Sequence, residues 1–455
     1  MSAQGRPLPK YVRKEFDEYL KCGRLEYGFL RLRCDSCRAE RLLAFSCKNR
    51  GFCPSCGARR MAQSAALLVD EVLPERPMRQ WVLSVPFQLR FLFASQPAIM
   101  GKVLGIVYRA ISTHITNKAG YTKNRAHTGA VTLIQRFGSA LNLNVHLHML
   151  FLDGVYLGEN TYGSSLRFQW IKSPTSEELA RLTHTIAKRI GRFLERQGLL
   201  IRDTENSYLS LTVEDEDDPM HQLHGSSVTY RIAVGPRQGR KVFTLQTIPA
   251  CDPQQWVGRV DGFSLHAGVA AKAHEREKLE RICRYITRPP VAEKRLSITR
   301  NAMVRYELKT PYSDGTTHVI FEPLDFISKL AALVPKPRVN LTRFHGVFAP
   351  NSKHRALVTP GKRGKGRKIS PHDEPEDKSP AVRRASMNWA QRSKRVFNID
   401  VETCNQCGGT IKVIACIEDP AVIKKILDHL GNKMPSDIHK RQPQSRAPPK
   451  GRLFN

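Results

Sequence analysis

Asn144-Val145-His146-Leu147-His148-Met149-Leu150-Phe151-Leu152 is an apolar run broken by two histidines, with Gly138, Ser139 and Asn142 before it and Asp153-Gly154 after it. A run of this length between turn formers predicts a buried β-strand, whose side chains alternate between faces. His146 and His148 then point the same way, about 7 Å apart at Cα. Two neutral imidazoles so placed can converge on one divalent cation and leave positions open for substrate oxygens. A His-x-His strand without a third ligand is, however, more often a packed pair.

The next strand upstream is expected over Ala130–Phe137. If it pairs with Val145–Leu152 as a hairpin around the Gly138–Asn144 connection, Gln135 falls beside His146 on the same face. Gln135 is thereby a candidate third metal ligand. Further strands are expected at Trp81–Val85, Val228–Val234, Met303–Leu308 and His318–Phe321, and helices at Ser176–Arg196, Val269–Thr287 and Ala421–Leu430. The mixture defines an α+β chain, and no internal repeat interrupts it.

Along the helix expected at 269–287, Leu279, Ile282, Cys283 and Ile286 have the spacing of a buried face. His274, Lys278, Arg281, Tyr285 and Arg288 fall on one flank of it at 100° per residue. A tyrosine among cations suits attack on a phosphodiester, because positive neighbours hold phosphate oxygens and favour the deprotonated nucleophile. Lys278, Arg281 and Arg288 are the accompanying DNA-contact candidates. Pro289-Pro290 end the helix just beyond. A single tyrosine of this kind is more commonly a boundary residue whose hydroxyl meets water.

The chain has 455 residues, 41% of them hydrophobic, with a formal net charge of +32. That length and apolar content support two or three globular domains. The charge exceeds what solubility needs and points to a polyanionic partner, nucleic acid before an acidic membrane surface. No uncharged apolar segment of about 20 residues is present, since Arg90 and Lys102 interrupt the nearest, Trp81 to Ile111. The N-terminal stretch lacks a signal-peptide core. Membrane spanning and export are disfavoured, and a cytoplasmic location is expected.

Of 11 cysteines, six precede residue 57 and three lie at 404, 407 and 416. Without an export signal these suggest metal sites or reduced thiols rather than disulfides. Cys34-x2-Cys37 and Cys53-x2-Cys56, 15 residues apart, have the spacing of a zinc ribbon, and a segment of this size would need the ion to fold. Cys22 and Cys47 are left over, and Cys47 is a substitute ligand. Cys404, Cys407 and Cys416 resemble half of a second knuckle that His429 would complete. Arg31, Arg33, Arg38, Arg41, Lys48, Arg50, Arg59 and Arg60 surround the first set, as in a nucleic-acid-docking ribbon. Residues 336–370 hold ten Lys or Arg and no Asp or Glu, ending in Gly361-Lys-Arg-Gly-Lys-Gly-Arg-Lys368. This composition predicts a basic linker or phosphate-tracking arm. A short acidic stretch, Asp373 to Asp377, follows.

Taken together, Ser46-Cys-Lys-Asn-Arg-Gly-Phe-Cys-Pro-Ser-Cys-Gly57, Gln135-Arg-Phe-Gly-Ser-Ala-Leu-Asn-Leu-Asn-Val-His-Leu-His148, Asp153-Gly154 and Cys283-Arg-Tyr-Ile-Thr-Arg-Pro-Pro290 resemble the rolling-circle transposases of the insertion sequence ninety-one and common-region group. The similarity runs from about residue 20 to 350. It implies an HUH-type nuclease fold, a central antiparallel sheet backed by helices, that nicks single-stranded DNA through a 5′-phosphotyrosine. Under it the metal histidines are His146 and His148, the nucleophile is Tyr285, the catalytic ion is Mg²⁺ or Mn²⁺, and Zn²⁺ is structural. Some members of the wider group carry two tyrosines four residues apart. Arg281 and Pro289 occupy those positions here, so one nucleophile per protomer is implied, with oligomeric state left open.

The resulting domain reading is a zinc ribbon over 1–70, the nuclease domain over 78–335, a basic linker over 336–380 and a C-terminal module over 381–455. The partner is DNA, as transposon ends and target, on the bacterial nucleoid. Two other readings stand beside this one: a replication initiator or relaxase with the same chemistry, and a non-catalytic nucleic-acid-binding protein. No Gly-x4-Gly-Lys-Ser/Thr loop accompanies the site, consistent with transesterification that needs no ATP.

Overall fold

In the computed structural model the histidine strand lies inside a six-stranded, fully antiparallel sheet. Its strands are β1 (Met78–Ser84), β2 (Gly129–Phe137), β3 (Leu143–Leu152), β4 (Gly258–Val260), β5 (Phe263–Ala271) and β6 (Thr342–Gly346), in the order β4-β5-β1-β3-β2-β6. The structure describes residues 2–3, 6–158, 166–202, 207–209, 218–247, 258–362, 400 and 402–433. The chain forms two units: Met1–Pro9, Ala65–Thr287 and Arg295–Ala385 make one, and Lys10–Ser64, Arg288–Lys294 and Ser386–Asn455 the other. The sheet belongs to the first unit.

Alternation along β3 divides that unit into two layers. Leu143, Val145, Leu147, Met149 and Phe151 pack in one apolar cluster with Leu92 and Phe93 of α1 (Phe87–Ser95), Val107 and Ile111 of α2 (Pro97–Lys118), and Ile186 and Ile190 of α3 (Ser176–Arg196). Each such buried side chain is worth about 1.5–3 kcal/mol. On the opposite face, Leu150 and Leu152 join Val131 and Leu133 of β2, Met78 of β1, and Leu279, Ile282, Cys283 and Ile286 of α4 (Arg276–Thr287). Because Asn144, His146 and His148 share parity with Leu150, the histidines lie on the α4 side.

Helix α3 keeps the boundaries expected from sequence. Thr175 Oγ1 accepts from the Glu178 amide at 3.2 Å while Glu178 Oε2 accepts from the Thr175 amide at 2.8 Å, a reciprocal cap. The start of α4 differs from expectation. Val269–Ala271 continue β5 past a register shift, with Val269 opposite Gln80 and Ala271 opposite Met78. Pairing with a central strand thus overrides the helical preference of Ala270 and Ala271. The strand expected at Val228–Val234 also fails to form. Val228 ends the helix Pro219–Val228, which Asp218 caps by accepting from the Met220 amide at 2.9 Å, and only an isolated bridge between Arg231 and Lys241 follows.

Thr342–Gly346, expected in the basic linker, is instead the edge strand β6, paired with residues 129–133. Gly346 has φ +59°, and a Cβ there would approach the Thr128 carbonyl oxygen to 2.0 Å, so the turn out of β6 requires glycine. The lysines and arginines after Lys362 and the acidic stretch at 373–377 lie outside the described residues. A second sheet in this unit has the strand order Phe243–Gln246, Thr316–Phe321, Val304–Glu307, Leu296–Ile298. Among the described residues no helix is long and apolar enough to cross a membrane.

A buried ion pair anchors the corner after β3. Arg79 of β1 donates to Asp153 through Nε at 2.9 Å and Nη2 at 2.7 Å, and also to the Ala267 carbonyl at 2.9 Å. Asp153→Ala would leave the Arg79 side chain, 7% exposed, without its carboxylate partner. We expect a loss of about 3–5 kcal/mol in urea unfolding of the full chain; a loss below about 1 kcal/mol would show the pair to be dispensable.

In the second unit, Ile411–Ile417, Phe29–Cys34 and Glu40–Ala44 form a three-stranded antiparallel sheet, in that order. The expected C-terminal module therefore supplies an edge strand to the expected N-terminal ribbon. Helices Lys10–Lys21 and Pro420–Lys433 belong to the same unit, the latter extending the helix expected at Ala421–Leu430.

Candidate active site

The register of the central sheet sets the site. His146 lies opposite Ser84 on β1 and Gln135 on β2, and His148 opposite Val82 and Leu133. The two imidazole centroids are 4.9 Å apart, with ring planes at 64°. His148 is buried and His146 half-buried.

Hydrogen bonds select the nitrogens. His146 Nδ1 is 2.9 Å from the Asn144 carbonyl oxygen, and a carbonyl only accepts. Nδ1 is then the donor, and in the neutral ring the lone pair falls on Nε2. Gln80 Nε2 lies 2.7 Å from His148 Nδ1 and donates to it, so Nδ1 accepts here, and only with the amide turned over would Gln80 Oε1 accept from Nδ1–H and leave the lone pair on Nε2. Such outer partners are the usual companions of metal-binding histidines.

Gln135 is 4% exposed and reaches α4. Its Nε2 donates to the Ile286 carbonyl at 2.8 Å and lies 3.4 Å from that of Tyr285. These carbonyls belong to the last helical turn, which lacks internal donors; Gln135 therefore ties the end of α4 to the strand beside His146. Its Oε1 is buried with no hydrogen-bond partner among the described residues. A buried amide oxygen without a partner beside two imidazoles is a donor set that fits a hard or borderline divalent cation.

Tyr285 stands on the final turn of α4, its ring centroid 6.0 Å from that of His148 and nearly perpendicular to it at 85°. Lys309 Nζ lies 4.6 Å from the tyrosine ring centroid. Of the cation stripe expected from sequence, Lys278 and Arg281 are on α4, whereas His274 precedes the helix and Arg288 falls in the second unit. Lys278 pairs with Glu275 at 3.4 Å. Arg281 is exposed, and Arg284 binds Glu280 one turn back. The cation over the tyrosine ring, Lys309, and the histidine support, Gln80, leave little in the sequence to find them by. Gln80 left a faint signal as a polar residue in an otherwise buried strand. Lys309 left none, because only the second sheet's topology delivers it.

Eight of the 11 cysteines gather into two sets of four, each with all Sγ atoms within 4.8 Å of one another. In the first, Cys22 Sγ is 3.7 Å from Cys56 and 3.8 Å from Cys53, and Cys47 is 3.5 Å from Cys56. The second joins Cys34 to Cys407 at 3.5 Å and Cys37 to Cys404 at 3.6 Å. The structure thus separates the ligand quartet expected from spacing: Cys53 and Cys56 take Cys22 and Cys47, while Cys34 and Cys37 take two cysteines from the other end of the chain. Cys416 is exposed and meets Glu418 at 3.5 Å, and exposed His429 is in neither set. Spacing identifies knuckles, but which knuckles share an ion is a tertiary matter.

Residues 129–356, half of the chain, match the family model described as "Putative transposase", and residues 1–85 match that of a transposase zinc-binding domain. The chain belongs to this transposase family, of the type represented by insertion sequence ninety-one. No curated protein and no solved structure matches it. His146, His148, Gln135 and Tyr285 all lie within the longer match, and the six N-terminal cysteines within the shorter.

Proposed function

We propose that this transposase is an HUH-type, rolling-circle enzyme that nicks single-stranded DNA at its element's ends with Tyr285 and transfers the strand to a target. The observation that carries the reading is the placement of the Tyr285 ring 6.0 Å from His148, on the sheet face that both histidines share. In the reaction, Tyr285 Oη gives up its proton and attacks the scissile phosphorus. The bond from tyrosine oxygen to phosphorus forms, the bond from phosphorus to the 3′-oxygen breaks, and that oxygen takes a proton to leave as a 3′-hydroxyl. A target 3′-hydroxyl later reverses the step, so the phosphodiester energy is conserved.

His146, His148 and Gln135 would hold Mg²⁺ or Mn²⁺, which when bound supplies Lewis-acid polarisation of the phosphate. Gln135 has a second task, keeping the tyrosine's helix end in register with the histidines. Lys309 offers a cation beside the phosphotyrosine linkage. Non-specific affinity for DNA comes from the excess of Lys and Arg, and falls with salt. Cys22, Cys47, Cys53 and Cys56 are proposed as a structural zinc site.

The test is trapping. A labelled single-stranded oligonucleotide carrying an element end, incubated with protein and Mn²⁺, is expected to yield a covalent adduct on a denaturing gel. If no strand from either end gives one, the protein grips DNA without cutting it. Gln135→Ala is expected to lower the adduct rate by roughly 10–100-fold, the scale for loss of a supporting group at a metal centre; an unchanged rate would remove Gln135 from the site.

A further inference from the structure

We propose that Cys34, Cys37, Cys404 and Cys407 bind a second structural zinc ion, which fastens the C-terminal edge strand to the N-terminal ribbon, so that the ribbon is completed only by both ends of the chain. This inference is independent of the nuclease reading. Cys404 and Cys407 lie outside both family matches.

Sulfur geometry excludes the simplest rival. Separations of 3.5 and 3.6 Å are far beyond a disulfide bond of about 2.05 Å. They approach the edge of a tetrahedron of thiolates around zinc, about 3.8 Å for Zn–S bonds near 2.3 Å.

The two halves are built alike. The Cys34 amide donates to the Ala39 carbonyl at 2.9 Å and the Arg38 amide to the Cys34 carbonyl at 3.1 Å; the Cys404 amide donates to Gly409 at 2.8 Å and the Gly408 amide to Cys404 at 2.9 Å. Each turn places a left-handed residue one position after its second cysteine, Arg38 at φ 62° and Gly408 at φ 74°. The Gly409 amide also donates to Cys407 Sγ at 3.4 Å, an interaction that suits a thiolate. A Cβ on Gly409 would approach Cys34 Sγ to 3.0 Å and Ser36 Oγ to 2.4 Å, so the halves meet too closely for any other residue. These are two matched knuckles facing one another, continued by the pairing of Ile411–Ile417 with Phe29–Cys34.

Apolar burial does not account for that pairing. Val413 is 58% and Ile414 38% exposed, and in the described C-terminal segment only Cys404 and Ile423 are buried among the hydrophobic residues. The Lys412–Asp35 contact at 2.8 Å is solvated on both sides and adds little. So exposed a strand contributes little burial of its own to hold the two ends together. Four thiolates on zinc supply folding energy directly.

The test is zinc content of the purified full-length protein, by elemental analysis. The expected stoichiometry is about two ions per chain for the parent and for Cys416→Ser, and about one for Cys34→Ser/Cys37→Ser, for Cys404→Ser/Cys407→Ser and for all four changes combined, because the pairs share one ion. Two ions retained in Cys404→Ser/Cys407→Ser, or a further ion lost when Cys34 and Cys37 are also changed, would overturn the site. Cobalt loading covers the case in which the serine variants unfold. Cys407→His keeps four ligands and should convert one ion's visible spectrum from an all-sulfur to a three-sulfur, one-nitrogen pattern. An unchanged spectrum would equally sink the proposal.

Discussion

Tyr285→Phe is expected to eliminate the covalent protein–DNA adduct and to lower strand cleavage by roughly 10⁴-fold or more, the scale on which deleting a covalent nucleophile acts. The change removes one oxygen and keeps the ring, so the contacts of that ring with His148 and Lys309 persist. Thermal stability and affinity for single-stranded DNA should therefore stay near the parent values, as should Mn²⁺ binding measured by calorimetry. The assignment fails if the phenylalanine variant still forms the adduct, since another nucleophile would then be at work. It also fails if DNA binding vanishes with cleavage, which would make the ring a binding element.

The second large effect is expected at the histidines. His146→Ala and His148→Ala should each reduce cleavage by about 10³-fold or more, because a bound cation supplies several kcal/mol at a developing phosphate charge and each 1.4 kcal/mol is a factor of ten. The double variant should be hardly worse than either single one, as groups that act as a unit are strongly non-additive. DNA affinity is expected to rest on basic side chains and to change by no more than about twofold. Titration with Mn²⁺ provides the independent readout: affinity should fall sharply in both variants and remain in Tyr285→Phe. Retained cleavage in either alanine variant would remove the metal argument and leave the histidines as packing residues.

How the site was legible follows from the kind of pattern each residue leaves. His146 and His148 declared themselves because a strand repeats every two residues, and β3 preserves that parity through the sheet. Gln135 was reachable by extending the same rule across one short hairpin, and the register does place it opposite His146. Tyr285 was reachable through the helical period of the buried residues around it. The predicted stripe of cations beside it extends too far, since α4 begins only at Arg276. Where the pattern predicts the first turn of a helix, β1 recruits Val269–Ala271 into the sheet.

Alternation in the histidine run, the capped period of α3 and the paired-cysteine spacings are local properties, and the amino-acid order alone determined them: a buried strand with two imidazoles on one face, a long amphipathic helix, and zinc-type knuckles on a heavily basic chain. Partnership was decided only by the tertiary structure. Nothing within a few residues of Cys34 or Tyr285 encodes that the first meets Cys407, or that the second meets His148 and Lys309, because such contacts depend on strand order and on which distant segments the sheets bring together.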